Sequence, residues 1–310
     1  MKPKISIITS LFKSEKYLEF YFDATEAVVN KENYEFLLLL NQPNEEELYI
    51  VNKKIKGKKY YKLHIIKEKE SLYATWNRGI KLAKADYLAN WNVDDCRTPE
   101  SLKIQAATLD KNPNVAMTYG DQTAIMNMGD KFGNLQTTPE YNSATKKEFR
   151  KSTFIGCFQM WRKSIHKTVG YYDEQFRLVS DYEFQVRVAY KFPLIRTNGL
   201  IGYYLHGGTD RLSQNGILQN EERTAVEIRY GIFYKMNLMF LFRALKYKPF
   251  KIKEFGDHVR FWKYTPEARY KYIVNYYQIL WSVLFHLPFD SLQFVKMKLF
   301  PNLVFKKIFK

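Results

Sequence analysis

Apolar and polar positions alternate along the first 120 residues in two distinct rhythms. Short, nearly continuous apolar runs occupy residues 5–8, 36–40, 63–66, 87–91 and 115–119, and each reads as a strand buried on both faces. Between them, residues 15–29, 44–56, 73–83 and 99–111 space their apolar side chains three and four apart, as helices laid on a sheet do. This order of strands and helices predicts a doubly wound, mostly parallel α/β sheet with flanking helices. In such sheets ligands gather beyond the carboxyl ends of the strands. The fourth run, Tyr87-Leu88-Ala89-Asn90-Trp91, stops at such an end on Asn92-Val93-Asp94-Asp95. Two adjacent anions need a compensating cation, and hard divalent ions such as Mg²⁺ or Mn²⁺ share carboxylate oxygens with substrate phosphates. The same residues also fit a solvated turn before a helix, with Asp95 or Thr98 as N-cap ahead of Pro99.

Residues 120–151 lose the periodicity and are rich in Gly, Asn and Thr, the composition of a long excursion over the active face. Order returns at residues 154–161. Helices follow at 163–169 and at 180–190, the second with Phe184, Val186, Val188 and Ala189 on its apolar side. A strand-like piece at 200–205 ends on His206-Gly207-Gly208-Thr209-Asp210-Arg211-Leu212-Ser213, a second polar cluster at a strand end. Past residue 222 the chain becomes aromatic and basic with helical spacing. Residues 272–287 are apolar but interrupted by Asn275, Gln278 and His286, and they fall short of the ~20 residues of a membrane span. An interfacial amphipathic helix, or a helical bundle covering a sheet edge, fits them instead.

Composition sharpens this division. The formal net charge is +17, and residues 225–310 alone carry 16 basic against 5 acidic side chains, a net of +11. Such a field attracts polyanions, and charge by itself does not choose among nucleic acid, anionic lipid and phosphorylated ligands. No helix-turn-helix, RNA-recognition or zinc-finger pattern is present, which argues against nucleic acid. Cys96 and Cys157 stand far apart without metal or disulfide spacing, so a reducing compartment is expected. The N-terminal run is too short for a signal-peptide core, so an intracellular protein is expected. Ser10-Leu11-Phe12-Lys13 contains no glycine, which counts against a Gly-rich phosphate loop of nucleotidyltransferase type.

Several segments occur in a telling order: Thr9-Ser10-Leu11-Phe12-Lys13-Ser14-Glu15, Trp76-Asn77-Arg78-Gly79-Ile80, Asn92-Val93-Asp94-Asp95, Trp161-Arg162-Lys163, Gly170-Tyr171-Tyr172-Asp173-Glu174-Gln175-Phe176 and Ser180-Asp181-Tyr182-Glu183. In order and spacing they resemble family 2 glycosyltransferases of the GT-A fold, over residues 4–213, about two thirds of the chain. The resemblance implies an inverting transfer from a nucleoside-diphosphate sugar, assisted by Mn²⁺ or Mg²⁺. It makes Asp95 the metal ligand, Asp94 its neighbour toward the ribose or the metal's water shell, and Asp181 the general base. His206 then completes the metal site or touches the diphosphate, and Arg211 with Ser213 binds diphosphate oxygens. Thr9, Ser10 and Asn77 fall in segments that hold the nucleotide sugar.

Two positions depart from the family pattern. The second strand ends in Leu40-Asn41-Gln42 rather than an acidic pair, so Asn41 is left to offer donor and acceptor to the base. The family's helix arginine aligns with Trp76, whose ring either stacks on the ligand or fills core. Plainer roles exist for the rest. Asp181 also suits a first-turn carboxylate with Ser180 as cap, His206 a hydrogen-bonded loop residue, and Arg211 a surface turn. Glu183, held in reserve as base, points about 200° away from Asp181 on one helix, so the two do not face one substrate.

The expected organisation is a GT-A domain at 1–222, with a nucleotide-binding half at 1–120 and an acceptor or catalytic half at 121–222, followed by a helical basic region at 223–310. The expected partners are the nucleoside-diphosphate sugar, a glycan or lipid-linked acceptor of surface polysaccharide synthesis, and an anionic membrane surface at the inner face of the cell membrane. The competing reading is a non-catalytic basic module that binds anionic lipid or nucleic acid.

Overall fold

The computed structural model of the chain describes residues 2–130, 135–136, 143–149, 155–206, 216–230, 250–252 and 272–274. In chain order the elements are β1 (Ile5–Leu11), α1 (Glu15–Glu26), β2 (Tyr34–Asn41), α2 (Glu45–Ile55), β3 (Tyr61–Ile66), α3 (Leu72–Leu82), β4 (Tyr87–Asn90), β5 (Cys96–Arg97) and α4 (Ser101–Lys111). There follow β6 (Met117–Ile125), β7 (Leu135–Gln136), β8 (Ser143–Ala144), α5 (Lys146–Phe149), β9 (Met160–Arg162), α6 (His166–Val169), α7 (Ser180–Ala189), β10 (Leu194–Leu205) and α8 (Gly216–Tyr230). The main sheet runs β3-β2-β1-β4-β9-β6-β10-β5. Its first four strands are parallel, as is the β6/β10 pair, while β9 and β5 join antiparallel.

The alternation of apolar side chains explains the layering. On β1 and β2, Ile8, Leu37 and Leu39 enter one core, and Ile5, Ile7, Phe36, Leu38 and Leu40 enter the other. Helix α3 and helices α7 and α8 cover the first face; α1, α2 and α4 cover the second. Local chemistry starts the helices where the sequence predicts. Asn44 Oδ1 accepts the Glu47 amide at 2.8 Å to cap α2, and Ser71 Oγ accepts the Ala74 amide at 3.2 Å to cap α3.

Three features differ from the sequence expectation. Strand β6 continues to Ile125, so the polar stretch from residue 120 begins as strand rather than loop. Strand β10 starts at Leu194, because register shifts around Gly199 and Leu200 let two short pieces join into one twelve-residue strand. Helix α8 runs through the expected boundary at 222/223 and packs on α7. Most of the basic aromatic region lies outside the described residues. Within it, Tyr272–Val274, the start of the run expected as a helix, pairs as a strand with Phe250–Ile252. No helix among the described residues is long and apolar enough to cross a membrane.

Candidate active site

Strand β4 delivers the acidic pair, and the chain then folds back so that Asp95 is 1% exposed. Its Oδ1 accepts the Leu205 amide at 3.1 Å, and its Oδ2 accepts Asn92 Nδ2 at 3.0 Å and faces the Cys157 thiol at 3.5 Å. Asp95 is therefore not the N-cap of α4. That helix opens at Ser101, and Thr98 Oγ1 donates instead to the Leu200 carbonyl at 2.8 Å. Burial first, and then the Asp94 charge, hold the Asp95 carboxyl well above the usual carboxylate range. The bonds from Leu205 and Asn92 pull the other way and do not outweigh burial.

A buried cation sits two residues on. Arg97, 1% exposed, donates to the Asn90 carbonyl at 2.9 Å and to Gln105 Oε1 at 2.8 Å, with its guanidinium 5.3 Å over the Phe158 ring. Burial draws it down to about 10, against the opposing pull of Cys157 and Asp95, so it stays charged at neutral pH. Strand β5 reaches this position because it pairs with β10 at Gly202, where an added Cβ would lie 2.7 Å from the Cys96 carbonyl oxygen and 2.7 Å from the Phe158 ring. Gly202→Ala is therefore expected to push β5 off β10 and pull Asp95 from Leu205. Overpacking of this kind costs about 2 kcal/mol, which a melting curve reads as a fall of ~5 °C, together with loss of turnover.

Asp181 stands in the first turn of α7 and keeps partial solvent contact. Its Oδ1 accepts the Tyr182 amide at 2.8 Å and the Tyr73 hydroxyl at 3.5 Å. Burial pushes it up to about 6, with backbone bonds and Tyr73 lowering it and the Glu222 charge raising it. Tyr73 is itself held far above the usual phenol range, first by burial and then by the Asp181 charge, so it remains a donor. Glu183, the reserve candidate, is fully buried and paired with Arg187, which also donates to the carbonyls of Val169 at 2.6 Å and Tyr171 at 2.7 Å. It is unavailable as a base. The expected Ser180 cap is absent: Val179 takes the N-cap position, and the Ser180 Oγ is buried without a hydrogen bond.

A connecting loop joins the two carboxylate regions. Cys157 touches Asp95, and the adjacent Gly156 carbonyl accepts Gln185 Nε2 from α7 at 3.0 Å, one turn beyond Asp181. Gln122 Oε1 fills the place of a side chain at Gly156, whose φ is +82°. On the other side, Asn90 Nδ2 donates to the Tyr172 hydroxyl at 2.9 Å, and Tyr172 stacks on Tyr73 at 6.0 Å between ring centroids.

The remaining expected residues divide. Ser10 is half-buried at the end of β1, and Asp94 is half-buried beside Asp95. Thr9 is buried and bonded to the Tyr21 hydroxyl at 2.8 Å. The Asn41 amide is spent on the Glu70 backbone, donating to its carbonyl at 2.8 Å and accepting its amide at 2.9 Å. Trp76 fills core against Tyr73 and Tyr172. Asn77 clasps Tyr172, donating to its carbonyl and accepting its amide, both at 2.9 Å. Thr9, Asn41, Trp76 and Asn77 thus spend their side chains on partners within the protein. Arg211 and Ser213 lie outside the described residues. His206 follows Leu205, so its backbone adjoins the Asp95 contact; its side chain is exposed. Among the described residues no three His, Cys, Asp or Glu side chains converge to hold a metal, so His206 does not close a set with Asp94 and Asp95. Two adjacent carboxylates in front of a buried network still fit a hard divalent ion, which is commonly held by one or two carboxylates plus substrate phosphates.

The sequence model of Glycosyl transferase family 2 matches residues 6–170. The chain belongs to this family. The match takes in the acidic pair and stops before Asp181. An uncharacterized glycosyltransferase of Methanocaldococcus jannaschii is 25% identical over 207 residues, which is 63% of this chain and 68% of that protein. Among solved structures, S. aureus TarS 1–349 in complex with UDP is similar at a TM-score of 0.57 with 17% identity over 73% of this chain. Its complex with UDP-GlcNAc gives a TM-score of 0.60 with 16% identity over 79% of this chain. The chain spans 65% of TarS 1–349 in the first comparison, and the likeness shows a shared GT-A fold.

Tyr73, Asn90, Arg97, Cys157, Tyr172 and Glu222, none of them a candidate in the sequence, make contacts around the two carboxylate regions. Asn90 and Arg97 carried a signal, since each is a polar side chain within or beside an apolar strand.

Proposed function

We propose that this chain transfers a sugar, with inversion, from a nucleoside-diphosphate sugar to a hydroxyl of a glycan or lipid-linked acceptor of surface polysaccharide. The observation that carries the reading is Asp181, a carboxylate at a helix start in partial contact with solvent, pushed up to about 6 and joined through one loop to the acidic pair of β4. A base of that strength is ionised at neutral pH and still basic enough to take a proton from an acceptor hydroxyl as it attacks. Tyr73 donates to the same carboxylate and fixes its orientation. On the donor side, Asp95 with Asp94 would hold a Mg²⁺ or Mn²⁺ ion, whose Lewis acidity offsets charge on the departing diphosphate.

In our reading the base of the donor lies beside β3. A groove of about 300 Å³ follows residues 65–70 and Arg78, and Lys69 reaches from it to lie 4.6 Å over the Phe12 ring. Because Asn41 is already engaged, the ring and backbone around this groove, rather than Asn41, contact the base in our reading. TarS was crystallised with UDP and with UDP-GlcNAc, which makes uridine donors the first to test. Titrating UDP, GDP, CDP and their sugars with Mn²⁺ in a thermal-shift assay is expected to single out one nucleotide. At about 100 times its Kd the bound nucleotide adds about 2.7 kcal/mol, a rise of ~5 °C. No shift with any nucleotide and Mn²⁺ would reject the reading.

A further inference from the structure

Helix α8 lies beyond the residues matched by the family model, yet it grips the approach to Asp181. Glu222, 2% exposed, accepts two consecutive backbone amides, Arg177 N on Oε1 at 2.9 Å and Leu178 N on Oε2 at 2.8 Å. These amides belong to the turn that enters α7, where neither Val179 nor Ser180 supplies a side-chain cap. Hydrogen bonds to an ionised acceptor are roughly twice as strong as neutral ones, so one carboxylate holds what a cap would ordinarily hold. The rest of α8 braces the same helix: Tyr230 donates to Glu183 at 2.5 Å, and the Arg223 guanidinium lies 5.1 Å over the Tyr182 ring.

We propose that Glu222 is a positioning residue of the transfer reaction, fixing the 177–179 turn and with it the direction in which the Asp181 carboxylate points. The inference rests on Asp181 being the general base. A base displaced by about 1 Å loses up to ~10²-fold in rate, so a flexible turn here has a direct catalytic cost. Among the described residues, the titratable side chains that face Asp181 are Tyr73 from α3, Tyr172 from the loop before α7, and Glu222 from α8, the one anion of the three. Glu222 therefore acts on the base by grip and by charge.

The test compares full-length Glu222→Gln, Glu227→Gln and Asp181→Asn for kcat, donor KM and the pH profile of kcat. Glu227 is also buried in α8 but pairs with Arg223 instead of the turn, and so controls for general support by the helix. Glu222→Gln is expected to lower kcat about ten-fold with donor KM held within about two-fold, and to move the acidic limb to lower pH because an anion facing Asp181 is gone. Glu227→Gln is expected to do neither. Wild-type kcat and an unmoved limb in Glu222→Gln, or the same loss in Glu227→Gln, overturns the proposal while leaving Asp181 as base. Wild-type turnover in Asp181→Asn overturns the base assignment itself. Should Glu222→Gln not fold, Glu222→Asp keeps the charge on a shorter arm; it is expected to lose kcat without the shift in the limb, and wild-type kcat there overturns the proposal.

Discussion

Replacing Asp181 with Asn is expected to cut kcat by about 10³-fold, within the range that general-base catalysis contributes, while the protein stays folded. The wild-type rate should rise with pH along a limb whose apparent pKa lies near the value of about 6 set by burial of this carboxylate. Below that limb Asp181 holds its proton and cannot take another. The Asn variant, with no titrating base, should show a flat profile over the same range. Stability separates a chemical loss from a folding one. The folded-state pKa is raised above the unfolded value of roughly 4, so the native state holds the proton more tightly and this group's contribution to stability falls as pH rises from about 4 to about 6. Asn removes that cost. Its melting temperature above pH 6 should therefore equal or exceed that of the wild type. A variant that melts lower and loses activity in proportion would instead make Asp181 a structural residue.

Asp95→Asn is expected to abolish the Mn²⁺-dependent part of nucleotide binding and to lower turnover by ~10²-fold or more. The amide keeps an oxygen for the Leu205 N–H, so β10 remains tied to the strand end. What disappears is the charge that a divalent ion and its diphosphate need. Burial and the Asp94 charge both raise this carboxyl, so Asn removes a cost that grows as pH rises, while Arg97 loses one of the anions that offset its burial. The melting temperature without ligand at neutral pH should therefore not fall below that of the wild type. The rise on adding nucleotide with Mn²⁺ should vanish. An undiminished rise would remove Asp95 from the donor site.

The parts of this site that could be read in the sequence are those whose cause is local. Apolar runs and helical spacing fixed β1 to β4 and α1 to α4, because each pattern is set by the element's own faces. The Asp94-Asp95 pair announced itself by ending an apolar run. Helix geometry also separated Asp181 from Glu183, and an arginine four residues after Glu183 pairs with it, as that spacing allows. What stayed hidden has distant partners. Asn77 appeared able to bind ligand, but the groups it clasps belong to Tyr172, 95 positions later. Asn41 kept its hydrogen-bonding capacity in the sequence and spends it on Glu70, 29 positions away. Trp76 looked like a lost cation and proved to be part of an aromatic wall. Glu222 sits beyond the resemblance altogether and reaches back 45 positions to Arg177. A polar side chain announces that it needs a partner, but only the fold names that partner.

The Glu183–Arg187 pair bears on how this enzyme can recover from damage. Removing one partner of a fully buried ion pair costs about 3–5 kcal/mol, since the other charge is stranded. Drawing Glu183 out of the pair to face a substrate would strand Arg187 in that way, and turning α7 as a whole would carry Arg187 along and strip the carbonyls of Val169 and Tyr171 of their donor. A selection for suppressors of an Asp181 lesion therefore has no route through the neighbouring acid, although it lies only two positions away. Revertants should restore residue 181 itself, and lineages that lose it should lose the chemistry.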